Sequence, residues 1–376
     1  MTPESVGGYR LVKPLGAGGM GEVYFAVSPT ADRVALKVIK PHLVRDETFR
    51  DRFAAEIESL KTVYGSRVAR LEDADPYGDP AWLAVEYVPG ATLRQYVDAR
   101  GPLPLARAAM IGAMLADGLD KVHQVGLLHR DLKPQNIILG PDGPKVIDFG
   151  LAVLVDREHF LTQPGMLVGT PAFMAPEQVT GERTLTPAVD IYGLAATLVL
   201  ALTGHTLYPN SHGWNLLLRV SEPDDLPDMS GVPVEVAPLI GAMLAFDPTA
   251  RPSLEAVRSR LLEVATAVSG SSVADLRREV GELTYDAGTE LVVPPNLTDP
   301  RLDPEQGTLG PTDPADSVPA DSDPAGSDPG NPELGTAQPT PPQADVSWLV
   351  EQVRHRYARR PKLLGQRSGA DPEPTR

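Results

Sequence analysis

The chain of 376 residues contains no cysteine. Disulfide bonds, thiolate metal sites and catalysis by a thiol are therefore excluded. The chain also has no excess of basic residues, because its net charge at pH 7 is −16 and residues 1–262 and 263–376 are both net acidic. A protein that binds nucleic acid usually presents a basic face, so nucleic acid is not an expected partner.

Long apolar runs are missing as well. The longest one, residues 191–202, is well short of the ~20 residues that cross a bilayer, and Asp190 and His205 bracket it. A buried helix is the better interpretation. Residues 1–8 have neither the basic nor the apolar region of a secretory signal. These features predict a soluble, cytoplasmic protein without a transmembrane segment.

The first part of the chain has the pattern of an antiparallel meander. Residues 9–12, 22–27 and 33–39 alternate apolar and polar side chains, with turn residues between them. A helical segment interrupts the strands at about residues 47–64. Its apolar residues, spaced three or four positions apart, are Phe49, Phe53, Ile57 and Leu60.

After residue 89 the pattern becomes helical. The predicted helices cover residues 105–125, 186–203, 234–244 and 253–268. The expected fold class is therefore α+β. It has a small β-rich lobe over about residues 9–88 and a larger α-helical lobe over about residues 89–262.

The composition changes beyond residue 268. Ten prolines lie between Arg301 and Pro342, many of them preceded by aspartate. Such a segment can bury little apolar surface, so residues 269–345 are predicted to be a disordered, acidic linker. Residues 346–363 could form a short amphipathic helix with a basic end, because Trp348 and Val353 fall on one apolar stripe.

Two short motifs carry the chemistry. Residues 129–136 read His-Arg-Asp-Leu-Lys-Pro-Gln-Asn, and residues 148–150 read Asp-Phe-Gly. Apolar runs flank both, as expected for loops held by buried strands. Phosphoryl transfer from a magnesium nucleotide needs a carboxylate to orient the hydroxyl, a cation near the moving phosphate and oxygen ligands for the metal. The two motifs contain this whole set.

A glycine-rich segment, Gly-Ala-Gly-Gly-Met-Gly at residues 16–21, follows one strand and opens the next. Glycines let backbone amides approach phosphates without an intervening side chain. Dinucleotide-binding folds use a similar string, but there it leads into a helix. Here it leads into the strand that contains residues 23–26, which separates the two kinds of site.

Together these motifs resemble those of the eukaryotic-like (Hanks-type) serine/threonine protein kinases of bacteria, in particular soluble actinobacterial members, over residues 9–262. The resemblance implies a bilobal protein kinase fold. It also implies transfer of the ATP γ-phosphate to Ser and Thr hydroxyls of protein substrates and of the chain itself, with Mg²⁺, or Mn²⁺ in its place. A homodimer for trans-autophosphorylation is a further expectation.

The resemblance assigns roles in the catalytic loop. Asp131 would accept the proton of the substrate hydroxyl, and Lys133 would steady the γ-phosphate. Asn136 and Asp148 would hold the magnesium ions. Lysine at position 133 follows the Ser/Thr pattern rather than the tyrosine kinase pattern.

It also implies the nucleotide contacts. Lys37, at the end of Val-Ala-Leu-Lys, would reach the α- and β-phosphates. Glu56 would be its partner on the helix, whereas Glu58 lies on another face. Val85 would be the gatekeeper beside the hinge, residues 86–88. The other residues expected around the nucleotide are Gly16, Ala17, Gly18, Gly19, Met20, Gly21, Val23, Ala35, Glu86, Val88 and Ile138.

Several supporting residues follow from the same resemblance. Thr170 would sit beside the catalytic loop in the peptide-docking segment, residues 169–177. Glu177 is expected to pair with Arg251 in the large lobe. Asp190 would anchor the backbone of the catalytic loop from the start of a buried helix.

Thr162 is the only hydroxyl residue between Gly150 and Gly169. We predict that it is the main activating phosphosite, with Arg130 placed to pair with its phosphate. The chain departs from related kinases at residues 64–70, where a His-Pro-Asn run is common, so the boundary of the fourth strand stays open.

Two alternatives deserve comparison. A pseudokinase scaffold would be expected to have lost the base or a metal ligand, and both are present. A small-molecule phosphotransferase of the related fold would lack the Ala-Pro-Glu segment at residues 175–177. Both alternatives are therefore disfavoured.

Overall fold

A computed structural model describes residues 4–63, 65–149, 171–182 and 184–283. Its small lobe is a six-stranded antiparallel sheet in the order β1-β2-β3-β4-β6-β5. The strands are β1 (Ser5–Val6), β2 (Tyr9–Ala17), β3 (Gly21–Val27), β4 (Arg33–Ile39), β5 (Leu71–Asp75) and β6 (Trp82–Glu86). The three predicted runs correspond to β2, β3 and β4, and the uncertain fourth strand of the meander begins at Leu71.

Two helices, α1 (Pro41–Val44) and α2 (Glu47–Leu60), lie between β4 and β5. The side chain of Asp46 caps α2 by accepting a hydrogen bond from the backbone of Thr48 at 2.9 Å. All four predicted apolar residues of α2 are buried. The helix ends four residues before the predicted position. The backbone N–H groups of Thr62 and Val63 close tight turns onto the carbonyls three residues back.

The large lobe is mainly helical. Its helices are α3 (Leu93–Arg100), α4 (Leu105–Gln124), α5 (Pro176–Val179), α6 (Ala188–Thr203), α7 (Gly213–Ser221), α8 (Ala237–Met243), α9 (Leu254–Ser269) and α10 (Val273–Gly281). The lobe also contains a three-stranded antiparallel sheet, β7 (Ala91–Thr92), β8 (Ile137–Gly140) and β9 (Gly143–Val146), whose middle strand β8 begins directly after Asn136. The α+β fold class with two lobes is confirmed, although the pattern did not reveal α3 and α7.

Helix α6 forms the centre of the large lobe. Every residue from Ala188 to Leu202 is buried, so the apolar run is a core helix, as predicted. Helices α4 and α9 pack closely beside it at Gly112, where a Cβ atom would stand 2.9 Å from Leu261 and 3.0 Å from Leu198. Within the described residues, no helix combines the length and the apolar character that crossing a membrane requires.

The predicted start of the linker at residue 269 is wrong. Helix α10 lies inside that range, and Leu276 and Val280, four positions apart on one face, are buried in the core of the large lobe. Composition alone did not predict this short helix, because only three side chains of the segment, Leu276, Val280 and Leu283, enter the core. Residues 284–345 and the predicted helix at 346–363 lie outside the described residues.

Candidate active site

The functional residues meet in a cavity of about 670 Å³ between the lobes. All residues predicted to surround the nucleotide line it: Gly16, Ala17, Gly18, Gly19, Met20, Gly21, Val23, Ala35, Lys37, Glu86, Val88 and Ile138. Asp131, Lys133, Asn136 and Asp148 line it as well. The two sheets and the catalytic loop thus bring together side chains that are far apart in the sequence.

The glycine-rich segment forms the hairpin between β2 and β3. The backbone N–H of Gly18 donates to the carbonyl of Gly21 at 2.8 Å, which closes the turn. Cβ atoms added at Gly16 or Gly18 would meet no atom within 4 Å. The space beside these backbone amides is therefore open, as a loop that covers phosphates requires.

Lys37 extends from β4 across the cavity. Its ammonium lies 3.0 Å from the Oδ1 atom of Asp148, and only 12% of the Lys37 side chain is exposed. Asp148 itself has a positive φ of 59° and lines the same cavity. The cation and the carboxylate therefore border the same small volume.

The catalytic loop is a compact polar cluster. The ammonium of Lys133 donates to Asp131 Oδ2 at 2.7 Å. The amide nitrogen of Asn136 donates to the same oxygen at 3.1 Å and to the backbone carbonyl of Asp131 at 2.9 Å. Two donors thus hold the Asp131 carboxylate in one orientation.

This arrangement suits a divalent cation that arrives with a nucleotide. The amide nitrogen of Asn136 is directed to Asp131, which leaves its amide oxygen for another partner. Asp148 contributes carboxylate oxygens at the same cavity wall. Amide and carboxylate oxygens are the donors that Mg²⁺ prefers, so the residues fit the ion.

Asp190, at the start of α6, holds the backbone of the catalytic loop. Its Oδ2 accepts from the backbone N–H of His129 at 2.8 Å, and its Oδ1 accepts from that of Arg130 at 2.7 Å. Arg130 has a φ of 63°, a strained backbone conformation that these two bonds support. Asp190 therefore shapes the loop, as predicted from the sequence.

His123, at the end of α4, completes this anchor and was missed by the sequence analysis. Its Nε2 atom lies 2.8 Å from Asp190 Oδ2. Burial alone would raise the pKa of Asp190. The hydrogen bond from His123 and the backbone donors of the catalytic loop outweigh burial and lower that pKa. The position of His123 six residues before the catalytic motif was the available signal.

His129 is fully buried beneath the loop. The backbone N–H of Asp131 donates to its Nδ1 at 3.2 Å, and its Nε2 lies 3.0 Å from the carbonyl of Ile147. Because Nδ1 accepts, a neutral ring with the proton on Nε2 satisfies both contacts. The ring also packs edge-on against Phe149, with centroids 4.6 Å apart. His129 thus joins the two chemical motifs.

The pair predicted for the large lobe is present. Arg251 and Glu177 form a two-fold ion pair with distances of 2.6 and 2.8 Å, and both side chains are buried. Next to Glu177, the side-chain amide of Gln178 donates to the carbonyl of Arg130 at 2.7 Å. The docking segment is thereby connected to the catalytic loop.

Glu56 does not contact Lys37, contrary to the expectation. Among the described residues it forms no ion pair, whereas Lys37 is engaged by Asp148. Helix α2 is oriented by its four buried apolar residues, and this orientation turns Glu56 towards Arg130. Burial raises the pKa of Glu56, and the attraction of the Arg130 guanidinium opposes the rise.

Arg130 lines the cavity, and its Nε atom is buried without a hydrogen-bond partner in the described part of the chain. Thr162 and Thr170, the predicted phosphosite and the predicted docking threonine, lie outside the described residues. The sequence analysis also missed Lys145 on β9. Its ammonium forms an ion pair with the hinge residue Glu86.

Comparison with known proteins gives a consistent result. The family described as "Protein kinase domain" matches residues 9–261. The serine/threonine-protein kinase AfsK of Streptomyces coelicolor is 40% identical over 265 residues, which cover 69% of this chain and 32% of that protein. The probable serine/threonine-protein kinase PkwA of Thermomonospora curvata is 40% identical over 259 residues, covering 69% of this chain and 34% of PkwA. The chain thus spans about a third of the length of these relatives.

Among solved structures, the kinase domain of Mycobacterium tuberculosis PknI superposes with a TM-score of 0.58 at 28% sequence identity. The superposition covers 70% of this chain and 99% of the PknI domain. The similarity therefore extends over both lobes.

Proposed function

The chain belongs to the protein kinase domain family, and on that premise we propose that it transfers the γ-phosphate of MgATP to serine and threonine hydroxyls of proteins. One observation carries the proposal. Lys37, Asp131, Lys133, Asn136 and Asp148 line a single cavity that the glycine-rich hairpin covers. The names of the bacterial relatives support serine and threonine as acceptors.

Asp131 is the proposed base. Its carboxylate is held by Lys133 and Asn136, so it is oriented before a substrate hydroxyl binds. It would align that hydroxyl and accept its proton, while the Lys133 ammonium would neutralise charge on the moving phosphate. Such fixed charges need no rearrangement as the reaction proceeds.

Lys37, Asn136 and Asp148 are proposed to hold the triphosphate. Lys37 would contact the α- and β-phosphates, and the two oxygen donors would bind the Mg²⁺ or Mn²⁺ that accompanies the nucleotide. The contact between Lys37 and Asp148 places a positive and a negative group 3.0 Å apart. Glu56 can pair with Lys37 only if Lys37 releases Asp148. We therefore propose that α2 moves between two positions.

The adenine side of the cavity is apolar. Val23, Ala35 and Ile138 line it together with residues 86–88. We propose that the base stacks between these side chains and that hinge backbone groups bind its polar edge. We further propose that the catalytic unit is followed by an acidic linker and by a short helix at residues 346–363, both of which lie outside the described residues.

The proposal is tested by radiolabelled phosphate transfer with the purified protein. We expect the wild type to label itself and added protein on Ser and Thr. Lys37→Met and Asp131→Asn should reduce labelling by at least about a thousandfold, as losses of the central electrostatic groups do in other enzymes. If the wild type incorporates no more label than Asp148→Asn with either Mg²⁺ or Mn²⁺, a scaffold function replaces the catalytic one.

Thr162 is the proposed activating phosphosite. A phosphate there would carry close to two negative charges and could pair with Arg130, whose Nε is buried and unpartnered in the described residues. Thr162→Ala should lower turnover of an added substrate and leave nucleotide affinity unchanged. Mass spectrometry of the wild type incubated with MgATP locates the site, and unchanged turnover of the variant would rule the role out.

A further inference from the structure

Helix α10 belongs to the folded catalytic unit although it lies beyond residues 9–261. Leu276 and Val280 are 1% and 0% exposed, and both join the core of the large lobe. Ser272 caps the helix by accepting from the backbone N–H of Asp275 at 3.2 Å. Glu279 forms an ion pair with Arg107 of α4 at 3.4 Å. The helix is therefore fixed mainly by apolar packing, because both side chains of the ion pair are partly exposed to solvent.

The last turn of α10 presses on the turn between β8 and β9. A Cβ atom at Gly281 would stand only 2.4 Å from the carbonyl oxygen of Pro141 and 3.9 Å from the nitrogen of Gly143. Both neighbouring groups are backbone atoms, which cannot rotate away as a side chain can. Glycine is thus the residue that permits this contact.

The same turn is held from the side and extends to the base-binding edge of the cavity. The buried guanidinium of Arg67 donates to the carbonyl of Asp142. A Cβ atom at Gly140 would stand 2.8 Å from the side chain of Val88. On the strand that follows the turn, β9, Lys145 forms its ion pair with Glu86.

Strand β8 contributes an apolar side chain to the wall of the same cavity. Ile138, which lines the cavity, lies opposite Lys145 in the pairing of β8 with β9. A shift of the turn between the two strands therefore moves a wall residue and a hinge contact together. Helix α10, the turn and the hinge form one continuous set of contacts.

We propose that α10 is a positioning element for the nucleotide: it sets the β8–β9 turn, and the turn sets Ile138 and the Lys145–Glu86 pair around the adenine. The proposal rests on the proposed nucleotide site.

Gly281→Ala in the full-length protein tests the contact. We expect the Kd for a non-hydrolysable ATP analogue with Mg²⁺ and the KM for ATP to rise about threefold to tenfold, the usual size of such indirect coupling. The KM for a Ser/Thr peptide should stay the same and kcat should change less than about twofold. Gly241→Ala in α8 is the matched control, since its Cβ would meet no atom within 4 Å and both changes favour the helix similarly.

Lys145→Met supplies a second, independent measurement at the other end of the contact set. It should also raise the Kd of the analogue, and the double variant with Gly281→Ala should show less than the product of the two effects, because the sites share one structural element. Titration calorimetry measures both affinities without catalysis. If Gly281→Ala does not fold, an unchanged Kd in Lys145→Met alone refutes the proposal.

Two further results would overturn the inference. One is unchanged analogue affinity in folded Gly281→Ala, and the other is an equal loss of peptide affinity, nucleotide affinity and kcat. A wild type that binds the analogue but transfers no phosphate contradicts the proposed kinase activity only, and the affinities of the variants still decide the role of α10.

Discussion

Asp190 is the residue on which the shape of the catalytic loop depends most. It is 1% exposed and accepts hydrogen bonds from two successive backbone N–H groups and from His123. A buried carboxylate is stable only when such donors surround it. The lowered pKa of Asp190 means that the folded protein stabilises the ionised carboxylate more than the unfolded chain does.

Asp190→Asn should therefore destabilise the protein by about 3 kcal/mol at pH 7, because an amide group would face the N–H of His129 and a buried donor would lose its acceptor. The sign of the pH effect follows from the lowered pKa. The contribution of Asp190 is fully present above its ordinary pKa of 3.8 and is lost as the pH falls through the lower folded-state value.

Urea unfolding at pH 7 and near pH 3 measures this difference. The difference in the free energy of unfolding between the wild type and Asp190→Asn should be smaller near pH 3 than at pH 7. Asp225→Asn is the control, because Asp225 also has a lowered pKa, from Arg219, but lies at the surface, where ion pairs contribute little. If this difference in unfolding free energy is the same at both pH values, the stabilising role of the Asp190 carboxylate is contradicted.

At the scale of elements, the large lobe is held by contacts between helix ends and helix faces. The Glu177–Arg251 pair joins the start of α5 to the segment before α9, and Arg251 also donates to the carbonyls of Ala188 and Ala245 at 2.8 and 2.9 Å. These bonds satisfy a buried guanidinium almost completely. Removal of one partner leaves the other charge buried alone.

Arg251→Met should lower the free energy of unfolding by about 3–5 kcal/mol, the usual effect of breaking a buried ion pair. The double variant with Glu177→Met should be less destabilised than the sum of the single variants, since neither charge remains. Thermal and urea unfolding of the four proteins give the coupling energy. Additive effects would show that the two side chains stabilise the lobe independently.

The close packing of α4 against α6 and α9 limits the size of the side chain that position 112 can accommodate. Gly112→Ala should change stability by less than about 1 kcal/mol, because the gain in helix propensity offsets a small shift of two flexible leucine ends. Gly112→Leu should lose about 1–3 kcal/mol through overpacking. Urea unfolding provides the comparison, and Gly241→Leu, in open space, should show no such loss.

At the scale of the whole molecule, the core of the large lobe includes Leu283, the last residue that the structure describes. A protein that ends at Leu283 should unfold at the same denaturant concentration as the full chain. One that ends at Gly270 should lose about 3 kcal/mol, since Leu276, Val280 and Leu283 would be removed and the ordering of the helix offsets part of their burial. Equal stability of the two truncated proteins would mean that α10 is only loosely attached.

Much of this molecule could be read from local patterns. The period-two runs predicted β2 to β4, the apolar spacing predicted α2 and α6, and the order of the motifs predicted a bilobal kinase fold. Local backbone preference and side-chain periodicity suffice for these strands and helices. The residues expected around the nucleotide came from the resemblance to bacterial kinases, and all of them line the cavity between the lobes.

Which side chains contact one another in the site was decided only by the tertiary structure. Lys37 contacts Asp148, 111 positions away, rather than Glu56, because the packing of α2 on the sheet sets where its carboxylate points. His123 and Lys145 acquire their roles from contacts with Asp190 and Glu86, which only the folded structure brings together. Helix α10 packs on the large lobe through Leu276 and Val280, and Gly281 lies against the β8–β9 turn. Distances between charged groups and the fit of backbone surfaces arise only when distant segments pack together, and the sequence pattern does not encode them locally.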